Sequence, residues 1–331
     1  MSKSFNKIIL FASFLGPVSA FGTVSYDSDN LSIQAEKLPV IQSVATSIQN
    51  NVIDLAFGHG AKKVVEQDVS DTGLTSGDIW ARGLFNETKY QNRFDGYMRG
   101  VSVGVDGIFD KYWFLGAGYS YAHSNIDTIT RDMRIDSSTL FVYGQYKPAQ
   151  WYVNAVASYT MSDYSESGNS NGTRVSADYD IDVYGGALAV GYDFPSGITH
   201  EIGLRYTRVD AENYVNSVGV KNKLKDGDFM TAVAGTKYVF DVKTYYNIVF
   251  VPHLNMAAKY DLISDKQNAI IKMPGIDKFL LNGKRLSRFG GDFGIGLGIK
   301  YRGVNLSLDY DLDVRENYTS QTGMLNFKCG F

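Results

Sequence analysis

The sequence predicts an all-β fold: a transmembrane, antiparallel, up-and-down β-barrel of about 12 strands, with an N-terminal α-helix in its lumen. Three observations predict it. From residue 77 onward apolar and polar residues alternate with period two over segments of ten residues or more. Short and long connections alternate between those segments, which a soluble sandwich has no reason to show. The N-terminus carries the three regions of an export signal.

Composition removes the competitors. At roughly 150 residues per domain, 331 residues suggest two domains, but β-barrels of this size form one. With 34 Gly, 23 Tyr, 19 Phe, only 6 Pro and 20% charged residues, the chain is neither disordered nor collagen-like. A net charge of −3 gives no basic footprint for nucleic acid. The single cysteine, Cys329, excludes an internal disulfide framework and a cysteine-based zinc cluster. No apolar run after residue 20 approaches the roughly 18 residues of a membrane-spanning helix.

Residues 1–20 read as a signal peptide: Lys3 and Lys7, then the apolar Ile8 to Gly16, a break at Gly16-Pro17, and small residues before cleavage at Ala20. Residues 21–39 form a short polar segment. Val40, Ile41, Val44, Ala45, Ile48, Val52, Leu55 and Ala56 then recur at three- and four-residue intervals, so residues 40–60 are an amphipathic helix that stops at Gly58 and Gly60. Its other face is polar but uncharged apart from Asp54, which suits a wet enclosed space. Residues 61–76 read as a linker, and 77–331 as the barrel.

Side chains on a strand alternate between faces, so each segment has an apolar face and a polar or small one. Val304 to Val314 alternates throughout; Phe293, Ile295, Leu297 and Ile299 alternate with Gly294, Gly296 and Gly298. Twelve segments emerge: 78–90, 95–108, 112–125, 133–147, 150–164, 178–194, 198–212, 227–241, 244–261, 286–301, 303–315 and 319–331. Connections at 147–150, 195–197, 241–244 and 302–303 read as periplasmic turns. Those at 126–132, 165–177, 213–226 and 262–285 read as extracellular loops. Aromatics gather near segment ends (Tyr112-Trp113, Trp151-Tyr152, Tyr245-Tyr246), as in interfacial girdles.

The segment Gly77-Asp-Ile-Trp80-Ala-Arg82-Gly83 resembles the G-x-W-x-R-G start of the autotransporter (type V secretion) translocator domain. Tyr97 to Asp106, Trp113 to Ser120, Tyr184 to Tyr192, Glu201 to Val209 and a terminal aromatic, Phe331, follow in that family's order. The resemblance spans residues 40–331. It implies a twelve-stranded barrel plugged by the preceding helix, an outer-membrane location, and export or display of an N-terminal passenger. It also implies assembly with outer-membrane lipid, periplasmic chaperones and the barrel assembly machinery, as a monomer. The departure is upstream, where some 20 residues stand in place of the family's large passenger. The other readings are a plugged porin-like channel or surface antigen, and a soluble exported β-sandwich.

Candidate sites follow. Leu325, Phe327 and Phe331 match the C-terminal signature read by the assembly machinery. Gly77, Trp80 and Arg82 form the barrel-start motif. Asn50-Asn51 resembles the pair at which one autotransporter subgroup cleaves itself, the asparagine amide attacking its own carbonyl. Asp309, Asp311 and Asp313 with Arg82, Arg99, Arg205, Arg288 and Lys300 are expected to form a charge network in the lumen, since buried charges need partners. His123 with Ser124 and Asp127, near an outward loop, is the one local grouping of the kind that rim active sites on barrels use. His59, His200 and His253 are scattered, and neither a nucleophile motif nor metal-ligand spacing is present, so no enzyme, cofactor or metal is expected.

Overall fold

The computed structural model describes residues 38–60, 74–90, 93–170, 173–240, 242–246, 248–266, 268–272, 278–283 and 285–330. The proposed signal peptide, most of the polar segment after it, most of the linker, and Phe331 lie outside the described residues. Helix α1 (Leu38–Gly60) is followed by β1 (Leu74–Tyr90), β2 (Phe94–Phe109), β3 (Trp113–Thr128), β4 (Arg131–Tyr146), β5 (Trp151–Ser170), β6 (Thr173–Asp193) and β7 (Ile198–Ala211). Next come β8 (Asn213–Val215), β9 (Lys221–Leu224), β10 (Gly227–Val239), β11 (Lys243–Tyr245) and β12 (Ile248–Ser264). The chain ends with β13 (Asn268–Lys272), β14 (Phe279–Asn282), β15 (Phe289–Tyr301), β16 (Val304–Arg315) and β17 (Tyr318–Gly330).

Twelve of these strands close into an antiparallel barrel. β1 pairs with both β2 and β17, from Asp78 opposite Gly330 to Tyr90 opposite Tyr318, and β10 joins β7 to β12 on the far side. Closure leaves no open edge, which a membrane requires because lipid cannot hydrogen-bond a bare strand. The two-residue turn Arg302-Gly303 has both residues at positive φ, as a type I′ hairpin needs.

The outer surface is apolar. Val101, Val103, Val105, Leu140, Val142, Ile202, Leu204, Ile295 and Leu308 all project outward and are at least 47% exposed. A soluble protein does not present such a belt to water. Two aromatic girdles bound it. Trp113 stacks near Tyr146 (4.7 Å between centroids) and Tyr146 near Trp151 (5.8 Å) at the end holding the short turns. Tyr121 and Tyr184 lie eight residues along β3 and β6 from Trp113 and Tyr192, a rise of about 20 Å for a tilted strand.

The long strands alter one expectation. Segments 126–132 and 165–177 are not loops: β3 and β4 run to Thr128 and Arg131, and β5 and β6 pair up to Ser170 opposite Thr173. A crossing needs about 9 to 11 residues, so β5 and β6, with 20 and 21, project well beyond the membrane. There the outer face no longer has to be apolar (Ser165, Ser167, Ser176, Asp178), while Val175, Ala177 and Tyr179 still point inward and are buried. The other two long connections carry a second sheet, β14-β13-β9-β8, at the same extracellular end. Its Val220 and Ile271 pack together, and Leu224 and Ala269 join the apolar cluster that holds the start of α1.

Ile271 is fully buried in the cap. Ile271→Ala is expected to cost the cap about 2 to 5 kcal/mol. Limited trypsin digestion of intact cells should then cut near Lys221 to Lys225, while the barrel keeps its heat-modifiable migration in gels.

Candidate functional site

The lumen is built around α1. At 1.5 Å per residue its 23 residues reach about 35 Å, enough to run the barrel's length. Among the described residues no helix is apolar enough to cross lipid alone, and the polar groups of α1 are met by barrel side chains instead. Val40, Ile41, Val44, Ala45 and Ile48 bury into the extracellular apolar cluster with Tyr164, Tyr179, Ile181 and Phe229. Val52, Ile53, Leu55 and Ala56 bury into a second cluster with Trp80, Phe114, Phe141 and Tyr143.

Arginines from opposite sides of the ring grip the helix between those clusters. Arg205, on β7, donates from one guanidinium nitrogen to Asn50 Oδ1 at 2.9 Å and from the other to Asp54 Oδ1 at 2.9 Å. Arg82, on β1, donates to the Asn51 carbonyl at 3.3 Å and to Asn326 Oδ1. Gln49 completes the contact. Its amide nitrogen donates to Thr160 Oγ1 at 3.2 Å, its oxygen accepts from Ser158 Oγ, and Gly185 leaves it room, since a Cβ there would overlap the Gln49 side chain.

The barrel-start residues face this region. Trp80 is buried over Gly104 and Gly118, where added Cβ atoms would collide with the indole, and lies 6.1 Å from the ring of Phe141. Arg82 shares its face; Gly77 precedes both at the periplasmic end.

The remaining lumen charges sit in local groups. Asp309 accepts from Asn326 (2.7 Å) and Ser307 (2.8 Å) and lies 3.0 Å from His253 Nε2. Asp311 accepts from Asn255 at 3.4 Å. Lys259, 2% exposed, bridges Asp313 (2.7 Å) and Asp292 (2.5 Å). Arg315 grips Asp261 (2.6 Å), and Lys328 lies between Asp78 (3.1 Å) and Asp106 (3.0 Å). Sequence reasoning missed Lys259, Asp292, Asp261, Arg315 and Lys328. Strand parity could have found them, for each shares the inward parity of its strand.

Three expectations are corrected. Arg99 lies on the outer face of β2 with Tyr97 and Val101, because it shares their parity, and takes no part in the lumen network. Arg288 precedes β15 at the extracellular end, where its carbonyl accepts from the Asp261 amide, and its guanidinium makes no ion pair among the described residues. His123 and Ser124 are consecutive on a strand, so His123 points outward to Asp136 (2.7 Å) while Ser124 is buried inward; they cannot form one site. Lys300 sits at the periplasmic end of β15, away from the helix anchors. Leu325 and Phe327 project outward from β17, 52% and 46% exposed. Asn50 and Asn51 lie within continuous helix. The Asn51 amide nitrogen donates back to the Ser47 carbonyl at 2.9 Å, and among the described residues no carboxylate hydrogen-bonds to either asparagine.

Comparison with known proteins agrees with this geometry. The family model described as Autotransporter beta-domain matches residues 79–311. Outer membrane protein A of Rickettsia conorii is 24% identical over 328 residues, covering 88% of this chain and 16% of that protein, so the chain spans about a sixth of that relative's length. The translocator domain of autotransporter NalP from Neisseria meningitidis has a TM-score of 0.69 at 15% identity, covering 88% of this chain and 99% of that one. The beta domain of the Bordetella autotransporter BrkA has a TM-score of 0.60 at 14% identity, covering 77% and 100%. The two structures share the fold.

Removing one arginine deletes charged hydrogen bonds to part-buried oxygens of the helix and wall, a loss of about 1 to 3 kcal/mol. Arg205→Gln with Arg82→Gln is expected to loosen α1 without opening the barrel. Hydrogen exchange of the α1 amides should accelerate by more than tenfold, with the strands unchanged.

Proposed function

Because the chain belongs to the autotransporter beta-domain family and is a translocator barrel of the outer membrane, we propose that it delivers the segment preceding α1 to the cell surface and then retains α1 as a fixed plug. The observation that carries this reading is the matched pair of anchors, Arg82 on β1 and Arg205 on β7, holding one turn of the helix from opposite walls. A channel has no use for a helix clamped across its bore.

Chain direction supports it. β1 starts at the periplasmic end, so the C-terminal end of α1 lies there and Leu38 lies under the extracellular cap. A segment N-terminal to Leu38 therefore leaves at the surface. In this reading residues 1–20 address the chain to the periplasm and are removed. Outward Leu325 and Phe327, with Phe331, present the last strand to the assembly machinery, and the barrel works as a monomer. Delivery precedes sealing: the extracellular half of the lumen is filled with side chains, so the segment passes before the cap sheet and α1 settle. The barrel needs no nucleotide, because burial of α1 itself favours the final state, at about 1.5 to 3 kcal/mol for each large apolar side chain fully buried.

Two measurements test this. The intact mass of the chain purified from outer membranes should correspond to a start near Phe21, with an epitope placed before Leu38 stainable on intact cells. A species beginning at or near Asn51 would instead establish cleavage inside the barrel and make Asn50 and Asn51 the reacting pair. In planar bilayers the full chain should stay closed, and a chain lacking residues 21–60 should conduct. Equal conductance from both would favour the channel reading.

A further inference from the structure

A shallow groove of about 770 Å³ lies on the lipid-facing surface, across the seam where β1 meets β17. Register explains its shape. In one row across β2, β1 and β17, Arg99 faces Phe85 and Phe85 faces Gly323; in the next row towards the periplasm, Val101 faces Gly83 and Gly83 faces Leu325. Gly83 and Gly323 are both on the outward parity, so two side chains are missing from an otherwise continuous apolar wall. Packing does not require these glycines, since a Cβ added at either meets nothing within 4 Å.

Charge marks one end of the groove. Arg99 lines it at its extracellular limit, level with the upper tyrosine girdle, and makes no ion pair among the described residues. The outward carboxylates around it are engaged elsewhere: Glu87, diagonal to it on β1, pairs with Lys89 at 2.6 Å, and Asp136 on β4 accepts from the Tyr121 hydroxyl at 2.5 Å and lies 2.7 Å from His123 Nδ1. A cation at the hydrocarbon boundary without a protein anion, above an acyl-sized apolar notch, has the layout of a lipid headgroup over its chain. The guanidinium fork fits phosphate oxygens. We propose that this groove binds one phosphorylated acyl lipid of the outer leaflet, lipid A, with Arg99 on a phosphate and an acyl chain laid over Gly83 and Gly323 between Phe85 and Leu325. Location commits the occupant to that leaflet, because the long hairpins and the cap put this end of the barrel at the surface.

The proposal is tested by native mass spectrometry of the full chain in detergent, titrated with bis-phosphorylated lipid A, its dephosphorylated form, or phosphatidylglycerol. One bis-phosphorylated lipid A per barrel should be retained in preference to the other two. Arg99→Gln, which removes a charged hydrogen bond, should weaken retention about tenfold. Gly323→Leu, which fills the notch and leaves the charge, should weaken it comparably, and heat-modifiable migration shows that each variant is folded. Retention unchanged in Arg99→Gln would overturn the proposal. So would loss in Arg99→Gln alone, which means surface charge without a groove, or a preference for phosphatidylglycerol, which means an inner-leaflet type of lipid.

Discussion

The structure turns on the placement of α1 inside a wall one residue thick. A membrane barrel spends its apolar side chains on lipid, so its interior cannot be stabilised by the wall alone. α1 supplies what a second sheet supplies in a sandwich. The wall answers it residue by residue: glycine where Gln49 needs room, Trp80 where the helix is apolar, and arginine where Asn50, Asn51 and Asp54 present oxygens. Arg82 and Arg205 matter most because they approach from strands half a ring apart. A cation held on one side could follow a sliding helix, whereas two held on opposite sides fix its depth and rotation together.

Along its axis the lumen is divided in two. The extracellular half holds the larger apolar cluster, with the rings of Tyr164, Tyr179 and Tyr214 stacked at 5.3 and 4.3 Å, and ion pairs set into its wall: Arg131–Glu166 (2.6 Å), Arg315–Asp261 (2.6 Å) and Lys259 between Asp292 and Asp313. The periplasmic half holds a smaller apolar cluster beside Lys328, which lies between Asp78 and Asp106. This order suits a chain that passes outward and then stays. In the proposed order the seal forms at the surface, where the cap hairpins close last. Burial of a charge pair such as Lys259 with Asp292 and Asp313 adds little net stability, but leaving one partner alone would cost several kcal/mol.

Most of this fold was legible in the sequence. All twelve barrel strands coincide with the alternating segments, and the helix begins two residues before the apolar periodicity that marks it. Legibility failed where a chemical expectation displaced parity. Arg99 was assigned to the lumen because charge belongs inside, yet Met98, Gly100 and Ser102 define the inward face of β2 and Arg99 stands between them. Polar composition likewise disguised the tips of β5 and β6 as a loop, although Asn171-Gly172 between them is a strong two-residue turn signal. The cap sheet was not legible for a different reason. Its strands are three to five residues long, and β9 pairs with β13 across an intervening pair of barrel strands, so no local period records it.

The wall opposite the helix shows why the plug sits off-centre. α1 packs mainly against β3 to β7. Across the lumen, β15 offers Gly290, Gly294, Gly296 and Gly298 on its inner face, and neighbouring polar side chains lie over that glycine row: Asp311 and Asn255 above Gly294, Asp309 and His253 above Gly296. A Cβ at either glycine would displace them. The glycines therefore let carboxylates from β16 meet partners from β12 flat against the wall, instead of reaching across towards the helix. Charges satisfied within the wall do not compete with Asn50 and Asp54 for Arg205, so the alternating Asp and Gly rows of two adjacent strands protect the specificity of the clamp. Filling Gly294 or Gly296 would push an aspartate into the lumen, towards Lys237 and Arg82, the cations already within reach of its charge.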